Sequence, residues 1–303
     1  ASLKDVLGDM TLSNLLIEEL DLSQINFNGN TLTLQCARLN KIIGPETFNG
    51  SLLLLPKSCR LTEFTLEGIS NIQGDFQCKD YFYVKEFVMP FIRVAGDMTI
   101  ALNSGSVNTA AEIEFPKLQE IGGTLTLENN KNANNITFPS LKKILGSCSV
   151  TTYKLKNDIE FTNLESIGTD GADAQIKFEI EATNILCPKL KTINGKFDIA
   201  TSSFMFDMEV DKVSYPNVES ISENLSITCP YSDFGSNGIL SIDFSGLKSA
   251  KGISISGQGD VTDFSSFKYL FENNVLTGES QWSVRECAYN PTYQDMKDGK
   301  YKQ

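Results

Sequence analysis

Between Phe204 and Asp211 the run FMFDMEVD alternates without interruption. An extended strand would place Phe204, Phe206, Met208 and Val210 on one face and Asp207, Glu209 and Asp211 on the other. Carboxylates at every second residue stand about 7 Å apart. With oxygen donors from an adjacent strand, Asp207, Glu209 and Asp211 form a candidate Ca²⁺ site, and a solvated outer face is the plain alternative. A second charged group, Lys177, Glu179 and Glu181, falls one repeat before Lys196 and Asp198. Stacked carboxylates either raise one another's pKa or recruit a cation, and here the lysines are placed to balance them.

Nucleophilic and acid–base chemistry find little support. The chain has no histidine, which removes the commonest general base and the commonest metal ligand together. Polysaccharide-cleaving enzymes pair an acidic cluster with a basic partner in a cleft. The four arginines (Arg38, Arg60, Arg93, Arg285) are scattered, and the carboxylates do not recur beside one of them. No catalytic residue and no cofactor is expected.

Seven cysteines form no CxxC pair and no zinc spacing. Cys36, Cys59 and Cys78 lie about one repeat apart and are disulfide candidates. Cys148 and Cys187 occupy repeat positions that elsewhere hold Leu125 and Phe138, and so read as core. Three N-glycosylation sequons begin at Asn49, Asn135 and Asn224, with Asn135 in an asparagine-rich stretch read as a loop. Hydroxyls recur on several strands as the pairs Thr11/Ser13, Thr31/Thr33, Thr124/Thr126, Ser147/Ser149 and Ser254/Ser256. Such a face would pack against another copy, bind glycan or order water.

Composition narrows the partners. A net charge of −12 and the absence of clustered Lys/Arg argue against nucleic acid and against anionic lipid headgroups. No apolar run approaches about 18 residues, so no membrane span is expected. A first residue of Ala fits a chain processed after a secretory signal, and attachment to a membrane would need a lipid anchor removed with its own signal.

What would position these groups is a repeat. FPKLQEIGGTLTL (115–127), FPSLKKILGSCSV (138–150), FTNLESIG (161–168), CPKLKTINGKFDI (187–199), YPNVESISENLSI (215–227) and FSGLKSAKGISI (244–255) are variants of one phrase. VLGDMTLSN (6–14), NIQGDFQC (71–78) and VAGDMTIALN (94–103) extend it upstream. A period of roughly 20–30 residues means a solenoid, each repeat one coil that cannot bury its apolar face alone. Strands are expected near residues 12, 32, 53, 76, 99, 126, 149, 178, 198, 226 and 254, about eleven coils over 1–263. Inward columns are expected of Leu118, Leu141, Leu164, Leu190, Val218 and Leu247, of Ile121 through Ile221, and of Phe115, Phe138, Phe161, Tyr215, Phe244 and Phe264. Glycines before the strands serve either a positive φ or a close approach to the next coil. Residues 264–303 break the pattern, with helical spacing of Phe264, Phe267, Leu270 and Phe271 and then an aromatic, polar segment. They read as a cap or docking tail.

The phrase Leu-x-x-Ile-x-Gly-x-Leu-x-Leu-x-Asn-Asn, best seen in FPKLQEIGGTLTLENN (115–130), resembles the receptor L-domain group. These are leucine-rich-repeat-like β-helices of receptor ectodomains and of fungal GPI-anchored cell-wall proteins. The resemblance runs to about residue 255. It implies a right-handed β-helix, a secreted or cell-surface location and no catalytic site. The resulting expectation is an all-β, LRR-like solenoid acting as a non-enzymatic structural or adhesive glycoprotein. Its expected partners are further copies in an oligomer or filament, or another cell-surface protein or glycan. The alternatives are a ligand-binding receptor-like ectodomain and a carbohydrate-active β-helix enzyme.

Overall fold

The computed structural model describes residues 3–55, 62–80, 83–102, 112–128, 130, 133–152, 155, 157–171, 174–180, 184–201, 212–229 and 241–303. They form an all-β parallel solenoid of about eight turns. Three faces run along it. The widest is a twelve-stranded sheet that begins at Met10–Ser13 and ends at Trp282–Cys287. The second is an eight-stranded sheet of two-residue strands from Thr47–Phe48 to Ser220–Ile221. The third is built of five strands from Glu86–Val88 to Ile185–Leu186, with a three-stranded sheet before it in sequence and a pair after it. Each of the eleven expected strand positions, from Leu12 to Ser254, falls in a strand of the long sheet.

Register explains why the sequence alternates. Leu32, Leu52, Phe76, Met98, Leu125, Cys148, Ile176 and Phe197 are successive Cα partners across the long sheet. All eight are completely buried. Cys148 therefore stands where Leu125 stands one coil earlier. The isoleucine column forms on the second face, Ile121 on Ile144, Ile167, Ile193 and Ile221. Parallel strands stacked about 4.8 Å apart bring like residues into contact, so each column is a ladder of one residue type. Burying each side chain contributes roughly 1.5–3 kcal/mol.

The aromatic-Pro-x-Leu step is a tight turn. The Leu141 N–H donates to the Phe138 carbonyl at 3.3 Å, and the Val218 N–H to the Tyr215 carbonyl at 3.2 Å. Proline at the second position of such a turn supplies its φ and gives up no needed donor. Side chains one residue further on tie the coils together: Ser140 Oγ donates to the Pro116 carbonyl at 2.7 Å, and Asn217 Nδ2 to the Pro188 carbonyl at 2.8 Å. The turn aromatics stack, Phe138 on Phe115 at 4.9 Å and Phe161 on Phe138 at 5.0 Å. At the far end the ring that stacks on Phe244 is Phe267, at 5.9 Å; Phe264 packs against Trp282 and Tyr289.

Of the glycines before the strands, Gly74, Gly96, Gly123, Gly146 and Gly195 answer to close approach. A Cβ on Gly123 would lie 2.7 Å from the carbonyl carbon of Gly96, and one on Gly146 2.6 Å from that of Gly123. Their N–H groups bond to the same preceding glycines at 2.9 and 3.0 Å. The next residue adds a polar rung. Asp75 Oδ1 accepts from the Asp97 N–H at 2.8 Å, Asp97 Oδ1 from the Thr124 N–H at 2.7 Å, and Ser147 Oγ from the Gln175 N–H at 3.0 Å.

After Phe264 come a 3₁₀ turn (Ser265–Phe267), a short helix α1 (Lys268–Glu272), the strand Trp282–Cys287 and a second helix α2 (Tyr293–Lys297). Thr292 caps α2, its hydroxyl accepting from the Asp295 N–H at 3.1 Å. The 281–303 segment is thus more than a polar tail. Trp282 pairs with Ile253 and Val284 with Ile255, which adds a twelfth strand in register with the inward columns.

Candidate functional site

The acidic run proposed for Ca²⁺ (Asp207, Glu209, Asp211) and Glu181 lie outside the described residues. Among the described residues no group of three or more Cys, Asp or Glu side chains is arranged to hold a metal ion. The charges at 177–198 are paired: Lys177 bonds Glu179 at 2.5 Å and Lys196 bonds Asp198 at 2.9 Å. The Lys177 hydrogen bond holds the Glu179 carboxyl below its ordinary value, with burial opposing and the Thr151 hydroxyl at 2.9 Å assisting.

Of the disulfide candidates, Cys59 is outside the described residues. Cys36 is buried with a free thiol, its Sγ donating to the Leu12 carbonyl at 3.4 Å. Cys78 aligns through Leu54 with Leu34. Leu34 and Cys78 therefore sit two strands apart, about 9–10 Å, and Cys36 lies two residues further along, so the two cysteines are well beyond the roughly 7 Å Cα separation a disulfide spans. Cys148 and Cys187 are core residues as expected, and burial pushes both thiols well up.

The sequons separate. Asn49 and Asn224 are exposed. Asn135 opens the strand Asn135–Thr137 and is half-buried. Its Nδ2 donates to Glu112 at 2.7 Å, and its Oδ1 accepts from Asn157 at 3.0 Å.

The hydroxyls divide by register into two jobs. Thr31, Thr124 and Ser147 occupy the polar rung beside the glycines, and the Ser147 oxygen is committed to the next coil. The outward column proper pairs Thr11 with Thr33, and Thr99 with Thr126 and Ser149. Leu53, Gln77, Lys177 and Asp198 interrupt it. Near the C-terminal end it resumes as Ser226, Ser254 and Ser283, three successive partners about 4.8 Å apart.

These three serines floor a groove of about 350 Å³. Lys196, Asn224, Lys251 and Gln281 stand around it. Lys251 is ion-paired with Glu223, and Gln281 Nε2 donates to the Lys251 carbonyl at 2.9 Å, so both are held in place. The nearby carboxylates, Asp198 and Glu223, are bonded to lysines rather than poised beside a serine. The arrangement offers a flat row of donors and acceptors suited to a hydroxyl-bearing chain laid along the sheet. It lacks the apolar lining typical of a small-molecule pocket. Sequence reading picked out Ser254 but missed Ser226, Ser283 and Gln281. The signal is register alone, because the three serines are 28 and 29 residues apart with nothing local to mark them.

No helix among the described residues is long and apolar enough to cross a membrane. Comparison with protein-family models, with curated proteins and with solved structures gives no significant match.

Proposed function

We propose that this chain is a non-enzymatic structural or adhesive protein of the cell exterior, a rigid solenoid that holds a polar groove and its two ends at fixed separation. In this reading the coil is right-handed and LRR-like, akin to the receptor L-domain group. It runs for about eleven coils and is closed by 264–303 acting as a cap. The observation that carries the reading is the Ser226–Ser254–Ser283 groove: an ordered hydroxyl row with fixed lysine and amide walls on a backbone with no slack. Glycans are the partner class that chemistry fits, because sugar hydroxyls exchange hydrogen bonds with serine, asparagine and lysine without any apolar lining. The exposed sequon at Asn49 suits a secreted or lipid-anchored glycoprotein.

The test is co-sedimentation with a panel of insoluble neutral and acidic polysaccharides, followed by analysis for new chain ends. Retention without cleavage is expected. Release of oligosaccharides would overturn the reading in favour of a carbohydrate-active enzyme.

A further inference from the structure

Hydroxyls on the rung beside the glycines are committed to the fold. Ser51 Oγ accepts from the Asp75 N–H at 2.9 Å, and Ser147 Oγ from the Gln175 N–H at 3.0 Å. The row Ser226–Ser254–Ser283 differs. Among the described residues none of its three hydroxyls has a hydrogen-bond partner. Its members are successive partners on in-register parallel strands, so their spacing is even. The row presents one hydroxyl, both donor and acceptor, about every 4.8 Å along the solenoid axis.

The walls are held in place and carry no net charge. Gln281 Oε1 accepts from the Thr277 N–H at 2.7 Å and the Gly278 N–H at 3.0 Å, while its Nε2 donates to the Lys251 carbonyl at 2.9 Å. Lys251 is ion-paired with Glu223, and Lys196 with Asp198 at 2.9 Å, so each ammonium is matched by a carboxylate. Gly252, the partner of Asn224, lies between the two amide walls. A Cβ there would come 3.0 Å from Asn224 Oδ1 and 3.3 Å from the Gln281 carbonyl oxygen, so a side chain would crowd both. No aromatic side chain among the described residues lines the groove. The whole chain carries a charge of −12, a field that repels polyanions.

We infer that the groove takes a neutral polysaccharide in extended form, a β-linked chain of cellulose geometry lying along the solenoid axis over Ser226, Ser254 and Ser283. In such a chain each sugar advances by nearly the separation of two stacked strands, so successive serines meet successive sugars. An α-linked chain of the starch kind coils and lifts away from an even row. A polyuronate brings a carboxylate on every sugar to walls whose lysines are already paired. With no ring to stack on, selection rests on hydrogen bonds and on charge.

The inference rests on the glycan-binding reading above and names its ligand class. Isothermal titration with cellohexaose, maltohexaose and hexagalacturonate tests it. Cellohexaose should bind about tenfold more tightly than either other probe, the equivalent of one or two hydrogen bonds. Ser254→Ala should weaken cellohexaose roughly 2–10-fold with an unchanged thermal midpoint. Asp198→Asn with Glu223→Gln releases Lys196 and Lys251 and should turn the preference toward hexagalacturonate. An unaltered chain that prefers maltohexaose or hexagalacturonate overturns the inference and leaves the glycan-binding reading standing. So does a double variant whose preference is unchanged. Binding of none of the three probes overturns it as well, and the polysaccharide panel then decides the wider reading on its own.

Discussion

Met10 and Trp282 stand at opposite ends of one inward column of the long sheet, eleven strands apart. Between them the column is covered by a coil on each side. Met10 has a coil on one side, while Trp282 is buried by Phe264, Phe267 and Phe271 and by the segment at Pro291. Stability in such a body is close to a sum of nearest-neighbour terms, so residues in the middle and residues at the ends should respond differently to change.

The middle of the aromatic stack should be the most sensitive. Phe138 is covered by rings on both sides, nearly parallel to Phe115 at 3° and to Phe161 at 13°. Phe138→Ala is expected to cost about 3–5 kcal/mol in urea denaturation. Ser149→Ala, on the outward column of the following strand, should change stability by no more than ~0.5 kcal/mol.

The glycine ladder gives a paired comparison. Gly123 carries a backbone approach that a methyl group would overlap, whereas a Cβ on Gly8 meets nothing within 4 Å. Gly123→Ala should destabilise by about 1–3 kcal/mol through forced separation of two coils. Gly8→Ala should be near neutral in the same denaturation experiment.

Alkali should unfold the chain through its core. Burial raises the pKa of Cys148, Cys187 and Tyr215, with Cys148 adding to the effect at Cys187 and both thiols to that at Tyr215. Groups kept protonated when folded ionise freely once unfolded. Their stability contribution is intact below the unfolded values and is lost as pH rises past them. Stability should therefore hold to roughly pH 8 and then fall by up to about 1.4 kcal/mol per pH unit for each group that ionises. Urea midpoints between pH 7 and 10.5 measure the slope, and Cys187→Val should make it shallower.

Secretory expression followed by peptide mass spectrometry should find glycan on Asn49 in preference to Asn135. The Asn135 amide nitrogen is already donating to Glu112 inside a strand ladder. Equal occupancy at Asn135 would mean that ladder forms after the glycan is added.

The coils were legible in the sequence because stacking like residues makes register visible as repetition. The place of Cys148 under Leu125 could be read with no coordinates at all. What escaped was everything that does not repeat. The twelfth strand has only the short alternation Trp282-Ser-Val284 and neither the glycine nor the aromatic-Pro lead-in. Phe264 and Phe267 both fit helical spacing, and only their contacts separate the one that continues the stack. The glycines could have served positive φ, yet Gly123 and Gly146 do not adopt it; that conformation falls at Gly29, before a strand, and at Gly68 and Gly168, just past strands. The groove was invisible because its serines are neighbours in space alone.

The groove is also where the account is most directly tested. Polysaccharide-coated beads are passed over immobilised protein under flow, comparing Ser254→Arg, which fills the groove, with Thr126→Arg, which places the same bulk on the same column five strands away. The account predicts that Ser254→Arg abolishes retention while Thr126→Arg leaves it intact, both with unchanged thermal midpoints. Equal retention of the two variants would contradict it.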